Sequence, residues 1–247
     1  MYLSFDGTAY SGWQSQPDAP SVQETIEKAL SLFLRENVCI TGAGRTDAGV
    51  HARLMVAHFD LQQAQDTAWM VSKLNAILPR DISVNRIVRV KADAHARFDA
   101  VQRTYRYYVT LSKNPFCSAF SCRLYSEPDF ALMNRAATML TEASDFTSFS
   151  KLHTDTKTNI CRVTEACWTQ TGPDSWMFTI SADRFLRNMV RAVVGTLLEV
   201  GRHKMTLDEF RSVIDGCDRC LAGDSAPACG LFLEDVVYPE SIFDYTE

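Results

Sequence analysis

Val38-Cys39-Ile40-Thr41-Gly42-Ala43-Gly44-Arg45-Thr46-Asp47-Ala48-Gly49-Val50-His51-Ala52-Arg53-Leu54-Met55-Val56-Ala57-His58-Phe59-Asp60 has an apolar run at each end and three glycines around a charged trio between them. The pattern predicts strands at Val38 to Thr41 and Leu54 to Asp60, joined by a glycine loop. Before them, Tyr2 to Phe5 reads as a strand ended by Asp6-Gly7, and Ser21-Val22-Gln23-Glu24 has capping-box spacing. Val22, Ile26, Ala29, Leu30, Phe33 and Leu34 then recur at helical period. After them, 67–78 reads as a helix stopped by Pro79, and Ile82 to Val90 as a strand. The order is βαββαβ.

The second half repeats it. Thr104 to Leu111 reads as a strand, about 129 to 142 as a helix, and about 162 to 169 and 175 to 181 as strands. Helices at about 185 to 200 and 206 to 215 and a strand near 231 to 237 follow. The expected fold is α+β: two tandem ferredoxin-like halves, 1–102 and 103–247, sharing an antiparallel sheet with helices on one face and a catalytic cleft on the other. The match between the halves is one of pattern, without a sequence repeat.

The three glycines invite a phosphate, but the motifs fail. Gly44 and Gly49 have P-loop spacing, yet Val50 and His51 stand where Lys and a hydroxyl residue belong. In the dinucleotide fingerprint, Asp47 occupies the third glycine's place. The glycines are therefore expected to let something else come close to the backbone.

Composition sets further bounds. The 247 residues, 46% hydrophobic and 22% charged, suffice for one large or two small globular domains. No apolar run approaches the ~20 residues of a membrane helix, and the start shows no basic leader, so a soluble cytoplasmic protein is expected. Eight scattered cysteines read as free thiols in a reducing compartment. Only Cys217-Asp218-Arg219-Cys220 has metal-ligand spacing; a second pair is lacking, so no metal site is expected. Net charge is −5, but residues 41–110 carry ten Lys or Arg against six acids and 151–205 carry eight against five. The last 42 residues carry two against ten, so the basic surface a nucleic acid would need is central.

Three groups can carry chemistry. Asp47, beside Arg45 and between glycines, either caps a turn or offers its carboxylate to a large substrate. Arg184, Arg187 and Arg191 fall at i, i+3 and i+7 on the apolar 185–200 helix, a stripe thinned by Gly195. A buried arginine needs a carboxylate, either Asp47 or a structural partner such as Glu165 or Asp183. In Arg103-Thr104-Tyr105-Arg106-Tyr107-Tyr108, period two turns Tyr105 and Tyr107 one way and Arg106 and Tyr108 the other. These aromatics are either half-buried packing or a platform for an extruded base.

The chain resembles the bacterial A-type tRNA pseudouridine synthases over nearly its whole length. The resemblance runs through Phe5-Asp6-Gly7-Thr8-Ala9-Tyr10 with Gly12-Trp13-Gln14, through Gly42 to Ala52, and through Arg97-Phe98-Asp99-Ala100. It continues through Thr104-Tyr105-Arg106-Tyr107, Phe185-Leu186 with Met189-Val190-Arg191, and Gly223 to Ala228. It departs at Ser11 and Ser15, where His and Arg are commoner, at Phe5, and at Arg187-Asn188. The resemblance implies isomerisation of uridine to pseudouridine in the anticodon stem-loop, at tRNA positions 38 to 40, by a homodimer of tandem ferredoxin-like halves. It also implies Asp47 as the catalytic aspartate, Tyr105 stacked on the target uracil, Arg191 paired with the aspartate, Arg45 on the flipped nucleotide's backbone, and His51 as structural. No cofactor is implied, because the rearrangement needs neither redox change nor energy input. Two other classes fit parts of the pattern: a non-catalytic RNA-binding module, which has no use for a buried Arg-Asp pair, and a glycosidase, which needs a second carboxyl within about 5 to 10 Å of the first.

Overall fold

The computed structural model describes residues 1–151 and 157–244. In chain order these form β1 (Tyr2–Phe5), α1 (Val22–Leu34), β2 (Thr41–Gly42), β3 (His51–His58), α2 (Thr67–Ile77), β4 (Ile82–Arg86), β5 (Gln102–Thr110), β6 (Cys122–Arg123), α3 (Phe130–Leu140), β7 (Val163–Gly172), β8 (Ser175–Ala182), α4 (Met189–Gly201), α5 (Leu207–Asp215) and β9 (Leu231–Val237). The fold is α+β, as the patterning predicts. The chain falls into two units, Met1–Val101 with Leu233–Glu247, and Gln102–Phe232. β9 starts in one unit and ends in the other, a return that sequence order alone does not encode.

In the first unit β1 lies between antiparallel β3 and β4, with Leu3 opposite both Met55 and Val84. Ser21 caps α1 by accepting the Glu24 N–H at 3.2 Å, and Val22, Ile26 and Leu30, at i, i+4 and i+8, are fully buried. Glu24 itself pairs with Lys28. The complete capping box belongs instead to Thr206 and Glu209 at the start of α5. The strand expected at Val38 to Thr41 shrinks to Thr41–Gly42 because α1 side chains take its backbone groups. Val38 N donates to Ser31 Oγ, Ile40 N to Glu27 Oε1, and Ile40 O accepts from Gln23 Nε2. The following strand starts at His51, three residues before the apolar pattern does. β4 also ends early, at Arg86.

In the second unit β8 lies between antiparallel β5 and β7, and the two-residue β6 joins β5 in parallel, a departure from a wholly antiparallel ladder. Tyr105, Tyr107 and Val109 stand opposite Ile180, Phe178 and Trp176 and share their face. That face carries α3, whose Phe130 stacks on Trp176 with ring centroids 3.8 Å apart.

The same device recurs in each unit. β4 in the first and β7 in the second are edge strands, and each is held by an asparagine inside a helix. Asn75 of α2 donates to Val84 O and accepts Val84 N–H, both at 2.8 Å. Asn134 of α3 does the same to Trp168, at 3.0 and 2.7 Å. One amide thus satisfies two backbone groups that an edge would otherwise leave open. The repeat between the halves extends to this contact.

Candidate active site

The loop between β2 and β3 is built by mutual support with the segment after β1. Gly49 N donates to Tyr10 O at 3.2 Å and Trp13 N to Thr46 O at 3.3 Å. A Cβ on Gly12, which has φ +102°, would lie 2.3 Å from Thr46 O, and one on Gly7 would lie 2.0 Å from Val50 O. Neither overlap is tolerable, so both glycines are needed for the two segments to touch. His51 is fully buried and its Nδ1 accepts the Gly7 N–H at 3.1 Å, beside Asp6 Oδ1 at the same distance. Asp6 also accepts from Thr8 N and Oγ1. His51 thus holds the first turn in place, the structural part expected of it.

The three glycines of the loop divide their labour. Gly42 makes room for the buried Trp13, whose indole would lie 2.5 to 2.8 Å from an added Cβ. Gly49, at φ +75°, is the third residue of a turn closed by Val50 N donating to Asp47 O at 3.1 Å. At Gly44 nothing lies within 4 Å of the Cβ position. The expectation that all three serve an incoming ligand is corrected: two of them serve the protein's own packing. Asp47 closes the turn with its carbonyl, and its side chain is half-buried at the turn's start; Arg45 is exposed and Thr46 buried. A carboxylate on a loop this tied down is held in place before any substrate arrives.

In the second unit Tyr105, half-buried on β5, meets Phe185 edge to face with centroids 4.9 Å apart at 81°. Tyr107 is fully buried and its hydroxyl donates to Pro227 O at 2.9 Å. Burial, with the thiols of Cys122 and Cys229 nearby, pushes the Tyr107 hydroxyl far above its usual pKa, so it stays a donor. The two tyrosines on one face therefore differ: Tyr107 is core, and Tyr105 keeps part of its ring in reach of solvent.

The arginine stripe does not survive. α4 begins at Met189, after Asn188 in the left-handed conformation (φ +65°), so Arg184 and Arg187 precede the helix and only Arg191 lies on it. Eleven of the thirteen α4 residues are buried; Arg191 and Glu199 are the exceptions, which makes α4 the apolar axis of the unit. Arg191 stands in the first turn, where the helix dipole disfavours a cation, so its place there rests on acceptors. Its Nε donates to Ala226 O at 2.7 Å while its own carbonyl accepts Ala226 N–H at 2.9 Å. Of the alternative partners, Asp183 Oδ1 accepts the N–H groups of Arg162 and Arg184, and Glu165 Oε2 accepts from Ser181.

Sequence reasoning missed the strap that fixes Arg191. Residues 223–228 cross α4 at Gly195, where a Cβ would sit 1.7 Å from Asp224 O. Gly223 N donates to Thr196 Oγ1 at 3.0 Å, Asn188 Nδ2 to Ser225 Oγ at 2.6 Å, and Arg219 reaches both Ala222 O and Ser225 Oγ. The signal was present: a glycine in an otherwise apolar helix marks a close approach.

Asp47 and Arg45 belong to the first unit, Tyr105 and Arg191 to the second. A cavity of about 670 Å³ in the first unit, lined by Asp66, Arg86, Arg89 and Glu240 among others, includes none of these residues. No group of three metal-ligating side chains occurs among the described residues, and no helix there is long and apolar enough to cross a membrane.

The family described as tRNA pseudouridine synthase matches residues 1–99 and 136–239, spans that contain Asp47 with its glycine loop and Arg191 with its strap. This chain belongs to the tRNA pseudouridine synthase family. The family's members are isomerases that act on uridine in tRNA. A tRNA pseudouridine synthase A of Bacteroides thetaiotaomicron is 61% identical, over 98% of this chain and 91% of that one. One of Porphyromonas gingivalis is 56% identical over 98% of both chains, and one of Exiguobacterium sibiricum 38% identical over 97% of this chain and 96% of its own.

Proposed function

We propose that this protein isomerises uridine to pseudouridine in the anticodon stem-loop of tRNA, at positions 38 to 40, as a cytoplasmic homodimer that uses neither metal nor cofactor. In this reading Asp47 begins the reaction, Tyr105 stacks on the uracil, Arg191 pairs with Asp47, and Arg45 holds the backbone of the flipped nucleotide. The observation that carries it is the Asp47 loop, pinned at Gly12, Gly49 and Val50 so that one half-buried carboxylate is presented on a fixed turn. Full-length family membership supports the reaction class.

The chemistry asks for little else. The bond from N1 of uracil to C1′ of ribose breaks, the base turns, a bond from C5 to C1′ forms, and the C5 proton leaves to solvent as N1 gains one. Asp47 can start this by attack at C1′, by attack at C6 or by taking the 2′ proton. A stacked base is out of reach, so the nucleotide must be extruded, and unstacking is offset by an aromatic partner and by cations on the phosphates. The test is tritium release from tRNA labelled at C5 of uridine. Release with pseudouridine at 38 to 40 supports the reading; labelled tRNA that is bound but releases no tritium overturns it.

A further inference from the structure

The Arg97-Phe98-Asp99-Ala100 stretch has no part in the site above, yet it is one of the more tightly tied segments of the first unit. His95 N donates to Asp99 Oδ2 at 2.6 Å and Asp99 N returns to His95 O at 3.0 Å. The Arg97 and Phe98 N–H groups both point at His95 Nδ1, at 3.1 and 3.3 Å. Ala96 N donates to His58 Nδ1 at 3.0 Å, and the Tyr238 hydroxyl donates to Ala96 O. Both imidazoles therefore use Nδ1 as an acceptor. Burial, and next the neighbouring His95, holds His58 below the usual imidazole range.

These bonds build a column of rings. His58 and His95 lie 4.7 Å apart, His95 and Phe98 lie 4.2 Å apart with planes inclined by 31°, and Phe98 ends the column 74% exposed. The Arg97 guanidinium stands over the Phe98 ring, 5.8 Å from its centre, at the outer limit of a cation–π contact. A single exposed phenylalanine is ordinary. This one has a ring behind it, its backbone is fixed at five successive residues, and it stands beside a cation, so its orientation costs nothing further when a flat ligand arrives. A flat, polyanionic ligand with unpaired bases is what such a surface fits.

We propose that Phe98, backed by His95 and His58 and flanked by Arg97, is a stacking platform for an unpaired base of the bound tRNA, apart from the base being isomerised. The proposal rests on the tRNA reading above. Phe98→Ala removes the platform, and because the ring is exposed the fold is expected to remain. Filter binding of unmodified tRNA is expected to weaken about 5- to 150-fold, the worth of one stacked base. Single-turnover pseudouridine formation at saturating enzyme should stay within about two-fold of wild type, and Phe98→Trp should restore binding. Unchanged affinity in Phe98→Ala overturns the proposal. So does weakened affinity that accompanies a change of sedimentation coefficient, which would make the surface a contact between protein copies. A wild-type protein that binds tRNA but forms no pseudouridine would defeat the reading of the reaction while leaving the Phe98 affinity comparison intact.

Discussion

Gly195→Ala sets two effects of opposite sign against each other. By helix propensity alone, the substitution inside α4 should stabilise the protein by about 1 kcal/mol. The structure predicts the reverse. The new Cβ would lie 1.7 Å from Asp224 O, 2.9 Å from its carbon and 3.2 Å from Ala226 N, all backbone atoms. The strap must move outward by more than an ångström, which breaks the Ala226 N–H bond to Arg191 O and the Arg191 Nε bond to Ala226 O. A neutral bond contributes about 1 kcal/mol and one to a charged donor about 1.5 to 3; strain in the packed strap adds about 1 to 3 more. Against the propensity gain, the net loss is about 2.5 to 6 kcal/mol, a fall in melting temperature on the order of 10 °C for a chain of this size. Activity should fall as well, since Arg191 loses its anchor. A thermal melt followed by circular dichroism reads the outcome. A melting temperature equal to or above wild type would refute the seating of 223–228 on α4.

Other outcomes follow from particular contacts. Tyr105→Phe should keep near-normal turnover if the ring only stacks, while Tyr105→Ala should lose on the order of 1 to 3 kcal/mol of substrate stabilisation, read from kcat/KM. Thr206→Ala removes one side of the capping box at α5 and should cost about 1 kcal/mol in urea denaturation, with activity unaffected. Binding of tRNA should weaken steeply as salt rises from 50 to 200 mM, despite the net charge of −5, because the central segments carry the cations.

The sequence showed which elements exist, apart from the two-residue β6, but not where their backbones find partners. Tyr2 to Phe5, α1, α2 and the β7–β8 pair were legible from period and capping. Val38 to Ile40 read as a strand because its residues are β-formers; its hydrogen bonds go instead to Ser31, Glu27 and Gln23 on a helix, and side-chain acceptors leave no periodic trace. The start of α4 was placed four residues early because apolar period continues through Leu186, whereas the left-handed Asn188 breaks the helix and returns Arg184 and Arg187 to a turn. Asn75 and Asn134 offered a usable hint, since asparagine inside a helix often spends its amide on backbone elsewhere. Asp47 stood out by its glycines, yet two of those glycines answer to Trp13 and to the turn. The glycines made Asp47 a candidate, the resemblance implied its role, and what the fold adds is the fixed turn that holds it. Gly223 to Ala228 and Gly195 form the two sides of the contact over α4, and nothing in their spacing along the chain shows that they meet.

The central claim is that the Asp47 carboxylate starts the isomerisation, and Asp47→Asn tests it most directly. The amide keeps nearly the same shape and leaves the turn, closed by the residue 47 carbonyl, intact. Tritium release from C5-labelled tRNA should drop below detection, while melting temperature and tRNA affinity stay near wild type. Wild-type release by Asp47→Asn would contradict the account.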